Sequence, residues 1–175
     1  YFSEEIGYAL RDSQVIKIED GECHLTEQDV EGAEDVEVPD TIEGLITSRI
    51  DRLSSLQGTV IRFASVIGKS FSTQLLEVIF PVDVDSQQLA QLLDDCERLD
   101  LIAADGVEQH GEYVFKHSIT QEVAYSLLLS DQRRQIHNQV ATWLESNDNE
   151  VRAPLATLAF HWERAEEFER AVYYL

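Results

Sequence analysis

With 175 residues, 43% of them hydrophobic, the chain can bury a sizeable core, as one domain or as two small ones sharing an interface. Asp and Glu outnumber Lys and Arg by 34 to 13, a formal charge of −21, and such a negative field repels phosphate backbones and anionic headgroups, which argues against nucleic acid and membrane as partners. No apolar run approaches the ~20 residues that span a bilayer and no signal peptide is visible, while Cys23 and Cys96 lack C-x-x-C spacing, a pattern that suits reduced thiols in a cytoplasmic protein.

The chain has no methionine, not even at position 1, and opens inside an amphipathic segment, so it reads as a piece of a longer protein. Tyr1 to Leu10 has apolar residues at a roughly helical period. Val15 to Ile18 and Cys23 to Leu25 flank Asp20-Gly21 and predict a tight hairpin. Gln28 to Glu37 is an acidic connector.

Asp40 or Thr41 caps the next predicted helix, whose Ile42, Leu45, Ile46, Ile50 and Leu53 share a face. Leu56 to Ile67 forms a second helix, stopped by Gly68, with Val60, Ile61, Phe63, Ala64 and Ile67 inward. A third runs from about Ser72 to Phe80 and ends before Pro81. Ser86 starts a fourth, with Leu89, Leu92, Leu93, Cys96 and Leu99 at helical spacing. Leu101 to Ala104 and Tyr113 to Phe115 then make a β-hairpin. Three helices followed by a hairpin is the order of a winged helix.

The stretch Glu112 to Leu129, EYVFKHSITQEVAYSLLL, joins the last strand directly to a helix at His117. Ser118 and Gln121 have capping-box spacing, so a helix from Ser118 to Leu129 is expected. Asp131 opens a long helix with Ile136, Val140, Trp143 and Leu144 on one face. Ser146 to Pro154 is polar and reads as a linker at a domain boundary. Ala156, Leu158, Ala159 and Trp162, then Ala165, Phe168, Ala171, Val172 and Leu175, form a helical hairpin that cannot bury its own face, so further repeats are expected after it.

The run F-K-H-x-x-x-Q-E-V-A-Y from Phe115 to Tyr125 resembles the signal-transduction ATPases with numerous domains, a branch of the AAA+ superfamily found behind class III nucleotide cyclase domains, in some kinases and in bacterial regulators. Val38-Pro39-Asp40-Thr41 through Arg49 and Asp51-Arg52-Leu53 resembles a second run of that family, and Leu158 to Leu175 its first tetratricopeptide-like hairpin. Tyr1 to Glu5 is similar to the run after its G-N-P motif.

The resemblance implies a mainly α fold with small β-hairpins: residues 1–56 a helical lid segment of an ATPase module, 57–145 a winged-helix domain, 146–154 a linker, and 155–175 the first repeat hairpin. It also implies a regulatory fragment that closes over ATP or ADP held by an upstream ATPase core in the same chain, and repeats that bind protein partners. In related switch ATPases a histidine at the end of the winged-helix hairpin contacts the β-phosphate of ADP. His117 matches that position, although Lys116-His117-Ser118 replaces the family's Met-His-Asp.

Lys116 could add a positive charge near phosphate, or be simply solvated; His117 could instead only hydrogen-bond the hairpin. Arg49 and Arg52 are candidates for an interdomain contact, or for exposed ion pairs worth only about 0–1 kcal/mol.

The chain has neither the G-x-x-x-x-G-K-[ST] phosphate loop nor an acidic Walker B strand, so no ATPase activity is expected of it alone. His24, His110, His137 and His161 fall on different predicted elements with no i, i+4 pair, the pattern of surface or packing residues rather than metal ligands. Glu4-Glu5 and Asp94-Asp95 are adjacent and point in different directions on a helix, unlike an acid/base pair. Asp94, Asp95, Glu97 and Asp100 against Arg98 make the fourth helix a poor reader of DNA. The competing class is a protein-interaction scaffold that uses no nucleotide.

Overall fold

Apolar residues recurring every three or four positions make most of the described residues helical, and two small antiparallel sheets accompany the helices. The computed structural model describes residues 16–19, 22–25, 41–105, 111–147 and 153–175. The expected helix over 1–10, the Asp20-Gly21 turn, the acidic connector, Asp40, His110 and the middle of the 146–154 linker lie outside the described residues. The chain divides into two compact units, Tyr1–Ser54 and Ser55–Leu175.

In the first unit, β1 (Ile16–Glu19) and β2 (Glu22–Leu25) pair antiparallel, with Ile16 opposite Leu25 and Glu19 opposite Glu22. Helix α1 (Ile42–Asp51) starts on Thr41, whose Oγ1 accepts the Gly44 N–H at 3.1 Å. Leu45, Ile46 and Ile50 are buried.

The second unit begins with α2 (Ser55–Ile67), which buries Val60, Ile61 and Ala64; Phe63 and Ile67 are only half-buried. The helix expected to start at Ser72 is preceded instead by a short strand, β3 (Ser70–Ser72), and runs as α3 (Thr73–Ile79) with Ser72 as its cap, Oγ accepting the Leu75 N–H at 3.3 Å. Helix α4 (Ser86–Arg98) starts at Ser86 as expected, on an Asp85 cap: Asp85 accepts the Gln88 N–H at 2.7 Å and Gln88 Oε1 accepts the Asp85 N–H at 3.4 Å. Strands β4 (Ile102–Ala104) and β5 (Glu112–Phe115) follow.

Strand β5 lies in the middle of a three-stranded sheet, pairing Phe71 with Tyr113 on one side and Ile102 with Phe115 on the other. Phe71, Ile102 and Phe115 are buried, with Phe71 and Phe115 ring centroids 5.7 Å apart.

Three further helices pack beyond the sheet: α5 (Ser118–Ser126), α6 (Ser130–Ser146) and α7 (Leu155–Arg164), with the short α8 (Phe168–Tyr173) against α7. Helix α5 ends three residues before the expected Leu129, because α6 already opens at Ser130. The α6–α8 contact is a cluster of Ala141, Trp162, Ala165 and Ala171, with Tyr174 packed against it. Glu145 of α6 grips both later helices: its carboxylate accepts from Trp162 Nε1 at 2.9 Å and from the Tyr174 hydroxyl at 2.7 Å, and lies 3.6 Å from Arg170. The Tyr174 phenol is pushed up to about 12, chiefly by that hydrogen bond. Phe168 and Val172 of α8 and Leu175 beyond it are 62%, 69% and 93% exposed, so one side of the hairpin faces outward, as its pattern implied.

Candidate functional site

The junction of β5 and α5 is fixed from both sides. The Phe115 N–H donates to the Lys69 carbonyl at 2.9 Å, and the Lys116 N–H donates to the Leu101 carbonyl at 3.3 Å. These bonds tie the strand end to the chain before β3 and before β4. Lys116 therefore stands at a set position, and its ammonium is paired with the Asp100 carboxylate. The Lys116 side chain stays exposed beside that partner.

His117 is the N-cap residue of α5, with extended backbone at φ −129° and ψ 134°, and it is half-buried. Its carbonyl accepts the Thr120 N–H at 3.2 Å, while its side chain makes no capping bond and no acidic residue occupies the first turn. The capping box expected of Ser118 and Gln121 does not form. Ser118 is already the first helical residue, and Gln121 reaches away to donate to the Ser65 carbonyl at the end of α2, 2.9 Å distant. That bond, with buried Thr120, Val123 and Ala124, seats α5 on α2.

Arg49 and Arg52 belong to the other compact unit. Arg49 is 5% exposed, which removes it from the class of exposed surface pairs, and Arg52 is exposed at the C-cap of α1.

A second cluster was not expected. His137 of α6 and His161 of α7, each 1% exposed, meet Nδ1 to Nδ1 at 2.8 Å, and His137 Nε2 lies 3.0 Å from the Tyr125 hydroxyl of α5. A neutral imidazole holds one N–H. With it on His137 Nδ1, His137 donates to His161 and accepts from Tyr125; with it on Nε2, His137 donates to Tyr125 and accepts from His161. Both arrangements satisfy every facing atom, whereas two protonated rings would set N–H against N–H.

Burial drives the His137 pKa down to about 3, helped by His161, Arg164 and Arg133, and burial drives that of His161 down to about 4. The pair is thus neutral at pH 7 and links three helices. Cys96 is a core residue, as expected, and burial pushes its thiol up to about 12. Among the described residues no group of three His, Cys, Asp or Glu side chains could hold a metal ion, and no helix is long and apolar enough to cross a membrane.

No family model and no solved structure matches the chain. It is similar to an uncharacterized protein of Rhizobium meliloti (strain 1021), with 29% identity over 131 residues. The alignment covers 74% of this chain and 12% of that protein, so the chain spans about an eighth of the length of the relative it matches.

Proposed function

We propose that this chain is a regulatory part of a multidomain signalling ATPase, a winged-helix module that closes over ATP or ADP held by an ATPase core elsewhere in the same polypeptide. The order helix, strand, helix, helix, strand, strand, with β3 paired to β5, supports the winged-helix reading. Similarity to a relative of which the chain spans only 12% supports a larger, multidomain parent. Helices α7 and α8 serve as the first tetratricopeptide-like hairpin, and the acids of α4 argue against DNA. Asp95 is engaged with Gln57 and Arg98, and Glu97 accepts the Ala104 N–H, so these carboxylates hold the module together.

The observation that carries the reading is the position of His117: two residues past the end of the central strand, at the N-cap of α5, with a first turn without acids. Backbone N–H groups at such a helix start favour an anion. The histidine would hold the ADP-bound closed form by binding it better than the open one, since only differential affinity shifts such an equilibrium. Lys116, exposed and paired to Asp100, stands next to the histidine as the second candidate.

The test is the nucleotide content of the parent protein, released by denaturation, with His117 intact and as His117→Ala. ADP retained by the first and lost by the second is the expected result. Equal ADP in both makes His117 structural. Absence of nucleotide in either moves the reading to a protein-interaction scaffold, which the exposed Phe168, Val172 and Tyr173 of α8 favour as the second possibility.

A further inference from the structure

Beside the histidine pair, a pocket of about 280 Å³ opens where α2, α5, α6 and α7 meet. That volume is just under the roughly 300–1,000 Å³ of small-molecule sites, so it suits a ligand of few atoms. Three of its walls are the rings of Tyr125, His137 and Phe160. Phe160 stands edge-on to His137 with centroids 5.7 Å apart, and Tyr125 does so at 5.8 Å, with interplanar angles of 82° and 63°. Rings in this arrangement suit a flat, apolar body, because aromatic partners favour edge-to-face or offset contact.

Charge selects what that body carries. Arg164, on the rim, lies over the Phe160 ring at 5.5 Å, and Arg133 lies over Tyr125 at 5.0 Å. Among the described residues neither guanidinium is in an ion pair, in a chain with 34 acidic residues against 13 basic ones. The one carboxylate lining the pocket is Glu122, also outside any ion pair among the described residues. Arg133 is not itself in the lining, but it and Arg164 both act electrostatically on the His137 ring and among the described residues no carboxylate does, so the field at that wall of the pocket is positive and favours a single negative charge.

We propose that this pocket binds a small aromatic monocarboxylate, its ring among Tyr125, His137 and Phe160 and its carboxylate on Arg164. A guanidinium presents paired N–H donors that match a carboxylate. Glu122 repels a second negative charge and keeps the ligand's anionic end at Arg164. The site goes beyond the nucleotide reading and stands without it. Because its walls come from α5 and α7, a ligand held only by the packed arrangement stabilises that arrangement by mass action.

The test titrates the 175-residue chain with benzoate and with indole-3-acetate, followed by calorimetry and by the His137 imidazole proton shifts, with neutral benzamide as the comparison. Saturable binding of a carboxylate is expected, weakened about tenfold or more in benzamide and in Arg164→Gln, the scale of a lost charge-assisted hydrogen bond. Glu122→Gln should bind equally or more tightly. Both substitutions fall at exposed positions, and unchanged circular dichroism establishes that the variants fold. The proposal is overturned if neither carboxylate binds saturably up to about 10 mM, if benzamide binds as well as benzoate, or if Glu122→Gln weakens binding, which would mark a cation site.

Discussion

His137 and His161 are each 1% exposed and both have pKa values lowered by burial, so the folded state binds fewer protons there than the unfolded chain. Unfolded histidines titrate near 6.5, and folded ones here near 3 and 4. The stability this confers is present above pH 6.5 and is lost as the pH falls through the window toward 4 and 3. Each extra proton bound by the unfolded state changes stability by up to about 1.4 kcal/mol per pH unit.

Urea unfolding at pH 7.5, 6.5 and 5.5 should therefore show a declining midpoint, and a double variant His137→Phe/His161→Leu should show a flatter limb over that range. Parallel limbs would mean that other groups set the acid sensitivity. The single variant His161→Ala should cost about 2–3 kcal/mol at pH 7.5, through a cavity and an unpaired buried nitrogen on His137.

At the scale of elements, the start of β5 is tied at Gly111 to the start of α3. The Gly111 carbonyl accepts from Thr73 twice, from the N–H at 2.8 Å and from Oγ1 at 2.9 Å, and the glycine's φ is +57°. A Cβ there would fall 2.1 Å from Thr73 Oγ1. Gly111→Ala should destabilise the chain by about 1–3 kcal/mol, from the left-handed backbone and the displaced threonine together. Thermal melts that coincide for the two proteins would show that the Gly111–Thr73 contact does not hold β3 to β5.

The same region shows where sequence reading stops. Helix faces were legible because their period is local: Leu45, Ile46, Ile50, Leu89, Leu93 and Cys96 are buried as expected. So was the strand through Tyr113 to Phe115 that leads into the helix at His117. Strand β3 was not, since three residues carry little pattern and their partner lies some forty positions away. Gln121 was misread because its spacing from Ser118 fits a local bond, whereas its length lets it reach Ser65 on another helix. The histidine pair joins residues 24 apart through tertiary packing, yet a signal existed. His137 shares a stripe with Val140, Ala141 and Leu144, and His161 with Leu158 and Ala165, all buried. A histidine on an apolar stripe asks for a buried polar partner.

Across the whole molecule the dominant electrostatic fact is the formal charge of −21. Two effects of salt oppose each other. Screening weakens ion pairs such as Arg98–Asp95, Arg134–Glu166 and Arg170–Glu145, whose side chains are substantially exposed. Pairs of that kind contribute only about 0–1 kcal/mol each. Screening also relieves the repulsion among unbalanced carboxylates spread over the surface, a sum over many distances at which the Debye length of about 10 Å at 0.1 M matters.

With few cations available to form pairs, the relief of repulsion outweighs the weakening of those pairs. Raising NaCl from about 0.05 to 0.5 M should therefore raise the melting temperature by about 2–4 °C, the shift that a gain near 1 kcal/mol produces in a chain of this size. A melting temperature that falls with salt would instead show that the ion pairs of Glu145, Asp95 and Arg134 outweigh the net charge. The bonds joining α6 to α7 and α8 would then be the ones to remove first, through Glu145→Gln.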